Sequence, residues 1–209
     1  MEILVTGATG LVGRPVVRAL VDAGAKVRAV TREPGDTALP AEVQVVAGNP
    51  TAPERLAAAL EGVEGIFPHP RAVGVAAPKM LEVAKAAGVK RVVVLSAINV
   101  DEPIEDQPSR YNGDRNREIE AAALASGLEW VSLRATDFAT NALRAWGGQI
   151  AAHEVVFGPF ADMAEAPVDP ADLGKIAARA LLTDQHLGPK LQLTGLRSIT
   201  HREMVEIIG

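Results

Sequence analysis

The sequence of 209 residues has no cysteine, so it can form neither a disulfide nor a thiolate metal site. Aromatic residues make up only 3%: two tryptophans, one tyrosine and four phenylalanines. No apolar run reaches membrane-spanning length, and the N-terminus reads as a strand, so neither a membrane span nor a leader is expected. A basic block is also missing. With a formal net charge of -5 the chain is a poor match for nucleic acid. The expectation is a cytoplasmic protein, monomer or homodimer, acting on small molecules.

What the sequence does have is a steady alternation of apolar β-rich runs and helical stripes, on 48% hydrophobic residues. Strands are expected at Glu2–Thr6, Lys26–Thr31, Glu42–Ala47, Gly65–Pro68, Arg91–Leu95 and Glu129–Arg134. Helices are expected at Leu11–Ala23, Thr51–Leu60, Val75–Ala87 and Arg115–Ser126, with a polar loop over Ala97–Arg110. Near-continuous apolar strands separated by helices argue for a parallel, doubly wound α/β sheet. After Arg134 the rhythm becomes irregular. A helix near Thr140–Ala145, a strand near Val155–Phe157, a helix Pro170–Leu182, a strand Lys190–Thr194 and a closing helix Thr200–Ile208 follow. The division expected is a nucleotide-binding part, 1–136, and a small α+β substrate lobe, 137–209, packed on it as one unit.

The first thirteen residues, MEILVTGATGLVG, carry the sharpest signal. A strand turns through Gly7, Gly10 and Gly13 into a helix, and such a turn lets backbone N–H groups and the helix dipole meet a phosphate. Thr9, Leu11 and Val12 complete the expected contact. The spacing G-x-x-G-x-x-G is one residue longer at its first step than the usual dinucleotide fingerprint. At the end of the second strand an NAD site normally places a carboxylate, and here Thr31 is followed by Arg32. Arg32 can pair with a 2′-phosphate, which favours NADP(H) over NAD(H), although Glu33 could bend back toward the ribose. Gly48 and Asn49 end the third strand, where an adenine edge would lie. Phe67, Pro68 and His69 end the fourth, Ser96 and Ala97 the fifth, and Ala135 and Phe138 follow the sixth; all are candidate cofactor contacts.

GATGLVG (Gly7–Gly13), VTR, GN at Gly48–Asn49, RVVVLSA (Arg91–Ala97), SGLEW (Ser126–Trp130), LRATDFATN (Leu133–Asn141) and LTG (Leu193–Gly195) together resemble the NmrA-like branch of the atypical short-chain dehydrogenase/reductases. The resemblance covers nearly the whole chain. It implies a Rossmann sheet in the order 3-2-1-4-5-6, with the segment after the sixth strand lining the nicotinamide end. It implies further that the chain is either a reductase or a catalytically silent redox sensor that docks a regulator. Relatives usually run several dozen residues further, with helices that close the pocket.

Short-chain reductases commonly protonate their product with a Tyr and Lys four apart on one helix face. Here Tyr111 is followed by Arg115, which cannot relay a proton, while Asn116 occupies the position where NmrA-like reductases often carry Lys or His. Ser96, Tyr111 and Asn116 are the catalytic candidates, Asn116 being also a candidate contact to the cofactor ribose, and the usual acid/base set is incomplete. Such an inventory suits an acceptor whose reduced form is a delocalised, weakly basic oxyanion: a quinone-like, conjugated or aromatic compound. The expected substrate wall is Ile98, Asn99, Phe138, Asn141, Trp146, Phe160 and Met163. Asp137 and Asn141 either contact substrate or cap the next helix. The competing classes are a non-catalytic NAD(P) sensor and a nucleotide-sugar epimerase; Arg32 and Asn116 speak against the epimerase.

Overall fold

The computed structural model describes residues 1–35, 37–152 and 155–209. Its centre is an all-parallel sheet. β1 (Glu2–Thr6), β2 (Lys26–Thr31), β3 (Gln44–Ala47), β4 (Gly65–Phe67), β5 (Arg91–Ala97) and β6 (Glu129–Ala135) lie in the order β3-β2-β1-β4-β5-β6. This is the arrangement expected. A seventh strand, Lys190–Leu193, extends the sheet beyond β6 with Ser132 opposite Lys190.

Both faces are buried because the side chains of each strand alternate. Ile3 and Val5 of β1 join Val93, Leu95, Val131 and Leu133 in one core. Leu4 joins Ile66, Val92 and Val94 in the other. The first core is covered by α1 (Gly13–Asp22), through Val16, Val17 and Leu20, and by Leu173, Ala177 and Leu181 of a late helix, Pro170–Leu182. These two helices pack closely because Gly174 lacks a side chain; a Cβ there would lie 2.6 Å from the Pro15 carbonyl carbon. The short α2 (Ala57–Leu60) and α3 (Pro70–Val73) precede α4 (Ala77–Ala86) and α5 (Asn116–Ala125), which cover the second core through Met80, Leu81, Ala84, Ile119 and Ala123. Each fully buried Leu, Ile or Met contributes about 1.5–3 kcal/mol, so the two cores dominate stability.

Residues from 137 onward go to two places. The helix Pro170–Leu182 and the strand Lys190–Leu193 join the layers just described. The rest stands over the C-terminal ends of the strands: α6 (Thr140–Ala152), a ribbon of β7 (Ala164–Glu165) with the antiparallel Ile199–Thr200, and α8 (His201–Ile208). In chain order the late elements are therefore α7 (Pro170–Leu182), β8 (Lys190–Leu193), β9 (Ile199–Thr200) and α8. Thr200 and Glu203 form a reciprocal capping box that starts α8 sharply.

Several boundaries differ from the sequence expectation. α1 starts at Gly13 instead of Leu11, and the helix expected at 51–60 is a 3₁₀ turn, Pro53–Leu56, running into α2. The turn α3 begins at Pro70, where no helix was expected. The expected loop over 97–110 contains two 3₁₀ turns, Ile104–Asp106 and Pro108–Asn112. Val155–Phe157 forms no strand. The Phe157 N–H instead donates to Gln149 Oε1, and Gln149 Nε2 donates to the Phe157 carbonyl, both at 2.9 Å. A side-chain amide of α6 thus takes the backbone partners that a neighbouring strand would have supplied.

Candidate functional site

The strand ends of β1, β4, β5 and β6 meet along one edge, and the glycine turn lies at its centre. Gly7 holds a left-handed φ of +64°, and its carbonyl accepts from Gly10 N at 3.0 Å. A Cβ on Gly13 would stand 2.1 Å from the Gly7 oxygen, so the third glycine is required by the turn itself. No side chain caps the N-terminus of α1, and its first turn carries no acidic residue. Arg14 folds back over the turn, donating from Nε to Thr9 O at 2.9 Å and from Nη1 to Ala38 O at 3.1 Å. An uncapped helix start, a backbone without Cβ atoms and a neighbouring guanidinium fit the diphosphate of a dinucleotide. Gly10 and Leu11 are exposed at this turn, whereas Val12 and Gly13 are buried beneath it.

Arg32 is exposed just past β2, and the Thr31 hydroxyl accepts from Glu33 N at 3.2 Å, shaping the chain into a tight bend. Gly48 has a packing reason for being glycine, since a Cβ there would meet Leu56 Cδ2 at 2.5 Å. Asn49 turns its Oδ1 onto Thr51, accepting from N at 3.1 Å and from Oγ1 at 2.9 Å. That leaves its amide donor for a base edge. Phe67 is wholly buried in the first core and Pro68 is buried too. Their side chains do not line the cleft, and only their backbone lies at its rim.

His69 is built into the turn. Its N–H donates to Thr6 Oγ1 at 2.9 Å, and its own Cβ lies 2.9 Å from where a Cβ on Gly7 would be. Nδ1 accepts from Arg71 N at 3.2 Å, which assigns the ring proton to Nε2. Burial lowers the imidazole pKa to about 4; Asp114 opposes that shift and Arg71 adds to it. Arg71 is held bidentately by Asp114 at 3.0 and 2.9 Å, joining α3 to the approach of α5. His69 is therefore a neutral donor at pH 7. A two-dimensional NMR titration should place its midpoint near 4, while an exposed histidine would titrate near 6.5. Because the folded value is the lower one, its stabilising contribution is present above about 6.5 and is lost as the pH falls through 4.

The three catalytic candidates do not converge. Tyr111 lies on the 3₁₀ turn before α5, not on the helix, and is 85% exposed. Arg115 Nη1 is turned onto the carbonyls of Arg110 and Asp114, at 3.3 and 3.0 Å. Asn116 opens α5, is buried, and donates to Ser109 Oγ at 3.1 Å. Ser96 is buried against Glu120 of α5, in a polar cluster that sequence reasoning did not assemble. There Arg134 donates to Glu120 at 2.6 and 3.1 Å and to Asp101 at 2.6 and 3.1 Å. Ser132 Oγ adds a 2.5 Å bond to Glu120, and Lys190 Nζ lies 3.4 Å from it. Burial opposes ionisation of Glu120, yet the hydrogen bonds from Arg134 and Ser132 and the Arg134 charge together hold it at about 2.

On the substrate side, Ile98 N donates to Ala135 O at 3.0 Å, which brings the exits of β5 and β6 together. Ile98 is exposed there, and Asn99 Nδ2 donates to Asp106 O at 3.2 Å. Phe138 bridges to Val168 and packs on the first core. Asn141 Nδ2 reaches Asp137 Oδ1 at 3.4 Å. Trp146 packs between α6 and α8, its ring 5.1 Å from that of His201, beside a cleft of about 210 Å³. Phe160 and Met163 are exposed outside it. The expected wall is therefore split: Ile98, Asn99, Phe138 and Asn141 stand at the strand ends, and Trp146, Phe160 and Met163 belong to the α6–α8 layer. Among the described residues no group of histidines and carboxylates could hold a metal.

Residues 7–182 match a family model described as NAD(P)H-binding. The chain is similar to a (4-alkanoyl-5-oxo-2,5-dihydrofuran-3-yl)methyl phosphate reductase of Streptomyces griseus, 39% identical over 96% of this chain and 70% of the other. It is 29% identical to an NAD(P)H azoreductase of Xenophilus azovorans over 99% of this chain and 72% of that one. Its backbone superposes with a TM-score of 0.82 on an NADPH-dependent quinone oxidoreductase of Escherichia coli solved with NADPH. The two are 25% identical, and the match covers 99% of this chain and 74% of the other.

Proposed function

The chain belongs to the NAD(P)H-binding family, and from that premise we propose that it reduces a small conjugated carbonyl or quinone-like compound. It is an NAD(P)H-dependent oxidoreductase, and NADP(H) is its nucleotide. The nucleotide, when bound, supplies the hydride. The chain's residues bind and orient: the Gly7–Gly13 turn takes the diphosphate, and Arg32 takes the 2′-phosphate. Ile98 and Phe138 flank the exits of β5 and β6.

One observation carries the substrate class. Tyr111 is exposed off the helix, Arg115 is turned onto backbone carbonyls and Asn116 is tied to Ser109, so no Tyr/Lys-type proton donor is assembled. An isolated ketone would leave a strongly basic alkoxide, which such a site serves poorly. A quinone or an activated alkene leaves a delocalised anion that hydrogen bonds can hold. The reductase from Streptomyces griseus is named for a ring double bond flanked by two carbonyls, an acceptor of this kind. The reductase relatives likewise favour turnover over silent sensing.

The test is rapid mixing of the NADPH-loaded protein with a simple para-quinone and, separately, with an unconjugated ketone. The quinone should consume NADPH at least about 100-fold faster than a buffer blank, within the range of ordinary catalytic steps, while the ketone should not. Equal behaviour of the two acceptors would overturn the substrate class. The Arg32→Ala variant should bind NADPH about 10- to 100-fold more weakly and NADH as before, as expected for one charge-assisted phosphate contact. Fluorescence titration with both nucleotides measures it.

A further inference from the structure

Just beyond β6, three ionisable side chains from three segments meet. Asp137 follows the strand, Glu165 lies in β7 and His201 opens α8. His201 Nε2 stands 3.3 Å from Glu165 Oε1, and its Nδ1 stands 3.4 Å from the Pro159 carbonyl. The bonds of Thr136 and Asp137 to the backbone of residues 166 and 168 bring Glu165 alongside Asp137, whose carboxyl feels the Glu165 charge. The backbone holds this arrangement. Val168 N donates to Asp137 O at 2.8 Å, Thr136 Oγ1 donates to Ala166 O at 2.9 Å, and Thr136 N donates to Leu193 O at 3.0 Å. The backbone of segment 166–168 is thereby fixed against the exit of β6, which places Glu165 next to it. Asp137 itself is two residues past Ala135, the residue that joins the exits of β5 and β6.

We propose that Asp137 is the acid that completes reduction of a conjugated substrate, with Glu165 and His201 as positioning residues that help it hold its proton. This rests on the reductase reading of the same cleft. Two neighbouring carboxyls share a proton because both cannot ionise cheaply. Partial desolvation and the Glu165 charge raise the pKa of Asp137, a residue still open to solvent; Asn141 and Arg144 of α6 pull it the other way. From α8 the facing groups are His201 and Arg202, the latter paired with Asp162 at 3.3 Å.

The bonds balance. At the β-carbon of an enone a C–H bond forms as the nicotinamide C–H bond breaks, and the alkene electron pair moves to the carbonyl oxygen. The Asp137 O–H bond then breaks and its proton goes to that enolate oxygen. Asp137 is left ionised and, being exposed, takes its next proton from water. One hydride and one proton are consumed per double bond. Asp137 would thus supply the proton from the exit of β6 in a site that lacks a Tyr/Lys pair.

Carboxyl ¹³C NMR of the nucleotide-free protein tests the pairing without turnover. Asp137 should titrate above an ordinary aspartate and return toward it in Glu165→Gln. Kinetics test the role. Asp137→Asn, nearly isosteric, should lower kcat on an enone about 100-fold with the NADPH Kd unchanged, and Glu165→Gln should shift the alkaline limb of the kcat profile to lower pH. An ordinary Asp137 titration in the parent protein overturns the proposal, as does an Asp137→Asn variant within threefold of the parent. Absence of NADPH binding by the parent overturns the reductase reading itself, and the NMR titration still reports separately on the carboxyl pair.

Discussion

Gly13→Ala should abolish nucleotide binding. The added methyl would sit 2.1 Å from the Gly7 oxygen, 2.7 Å from its carbonyl carbon and 2.8 Å from the Ala8 Cα, and all three are backbone atoms with no rotamer to retreat into. The turn must open, which separates the Gly7 carbonyl from Gly10 N and displaces the start of α1. NADPH should then bind at least about 1,000-fold more weakly, the scale of losing several charge-assisted contacts at once. Stability should fall by about 2–4 kcal/mol, typical of a strained backbone position in a buried turn. Gly10→Val separates the two effects. Its Cβ would lie 3.2 Å from the Gly7 oxygen at an exposed position of ordinary φ, so the turn need give by only a few tenths of an ångström. Its branched side chain still fills the approach to the turn, and binding should fall about 100-fold with little change in the denaturant midpoint. Isothermal titration and urea unfolding on the same samples give both numbers. Tight NADPH binding by Gly10→Val would place the diphosphate elsewhere.

Arg134→Met should be the most destabilising change outside the glycine turn. Arg134 and Glu120 are 7% and 6% exposed, and the substitution leaves Glu120 buried with only Ser132 and the more distant Lys190 as partners. An uncompensated buried carboxylate costs about 3–5 kcal/mol. The tie to Asp101 adds little to that, since Asp101 is 72% exposed. The double variant Glu120→Gln/Arg134→Met should therefore be more stable than Arg134→Met alone, which a urea double-mutant cycle will show. The same pair sets an acid limit. Glu120 sits at about 2 in the fold against an ordinary 4.5, so its contribution is whole above about 4.5 and disappears as the pH falls toward 2. Unfolding measured at pH 7 and pH 3 should show a loss that is larger in the parent than in Glu120→Gln, since His69 contributes to the loss in both.

The glycine turn, the β-α rhythm and the parallel sheet could be read from the sequence because each rests on local chemistry. Gly7, Gly10 and Gly13 are needed where the backbone turns, and runs such as RVVVL at Arg91–Leu95 are apolar on both faces because both faces are covered. Val155–Phe157 was misleading for the same reason in reverse. Its composition is that of a strand, and only the position of Gln149, eight residues away, shows that no strand partner arrives. The carboxyl pair at Asp137 was beyond reach. Asp137 could be singled out after LRAT, but Glu165 and His201, themselves 36 residues apart, have no spacing that connects them. Only the ribbon of β7 with β9 and the clamp of Thr136 on Ala166 bring them to one place. Arg134 could likewise be noticed at the end of β6, but its partner Glu120 lies on a helix whose inward face is set by Ile119 and Ala123. A glutamate on that stripe looks like an exception until the arginine is seen beneath it.

The seven-stranded sheet also determines how the chain must acquire its structure. Every neighbouring pair in it is parallel, so none can zip up from a local hairpin, and each requires a crossover to close first. β1 sits between β2 and β4, both made after it, and β8 has no template until β6 is seated on β5. Refolding on the millisecond-to-second scale follows from this topology, with β8 the last strand to dock. Until it does, the outer edge of β6 is bare, and that edge is where newly made molecules risk sticking to one another.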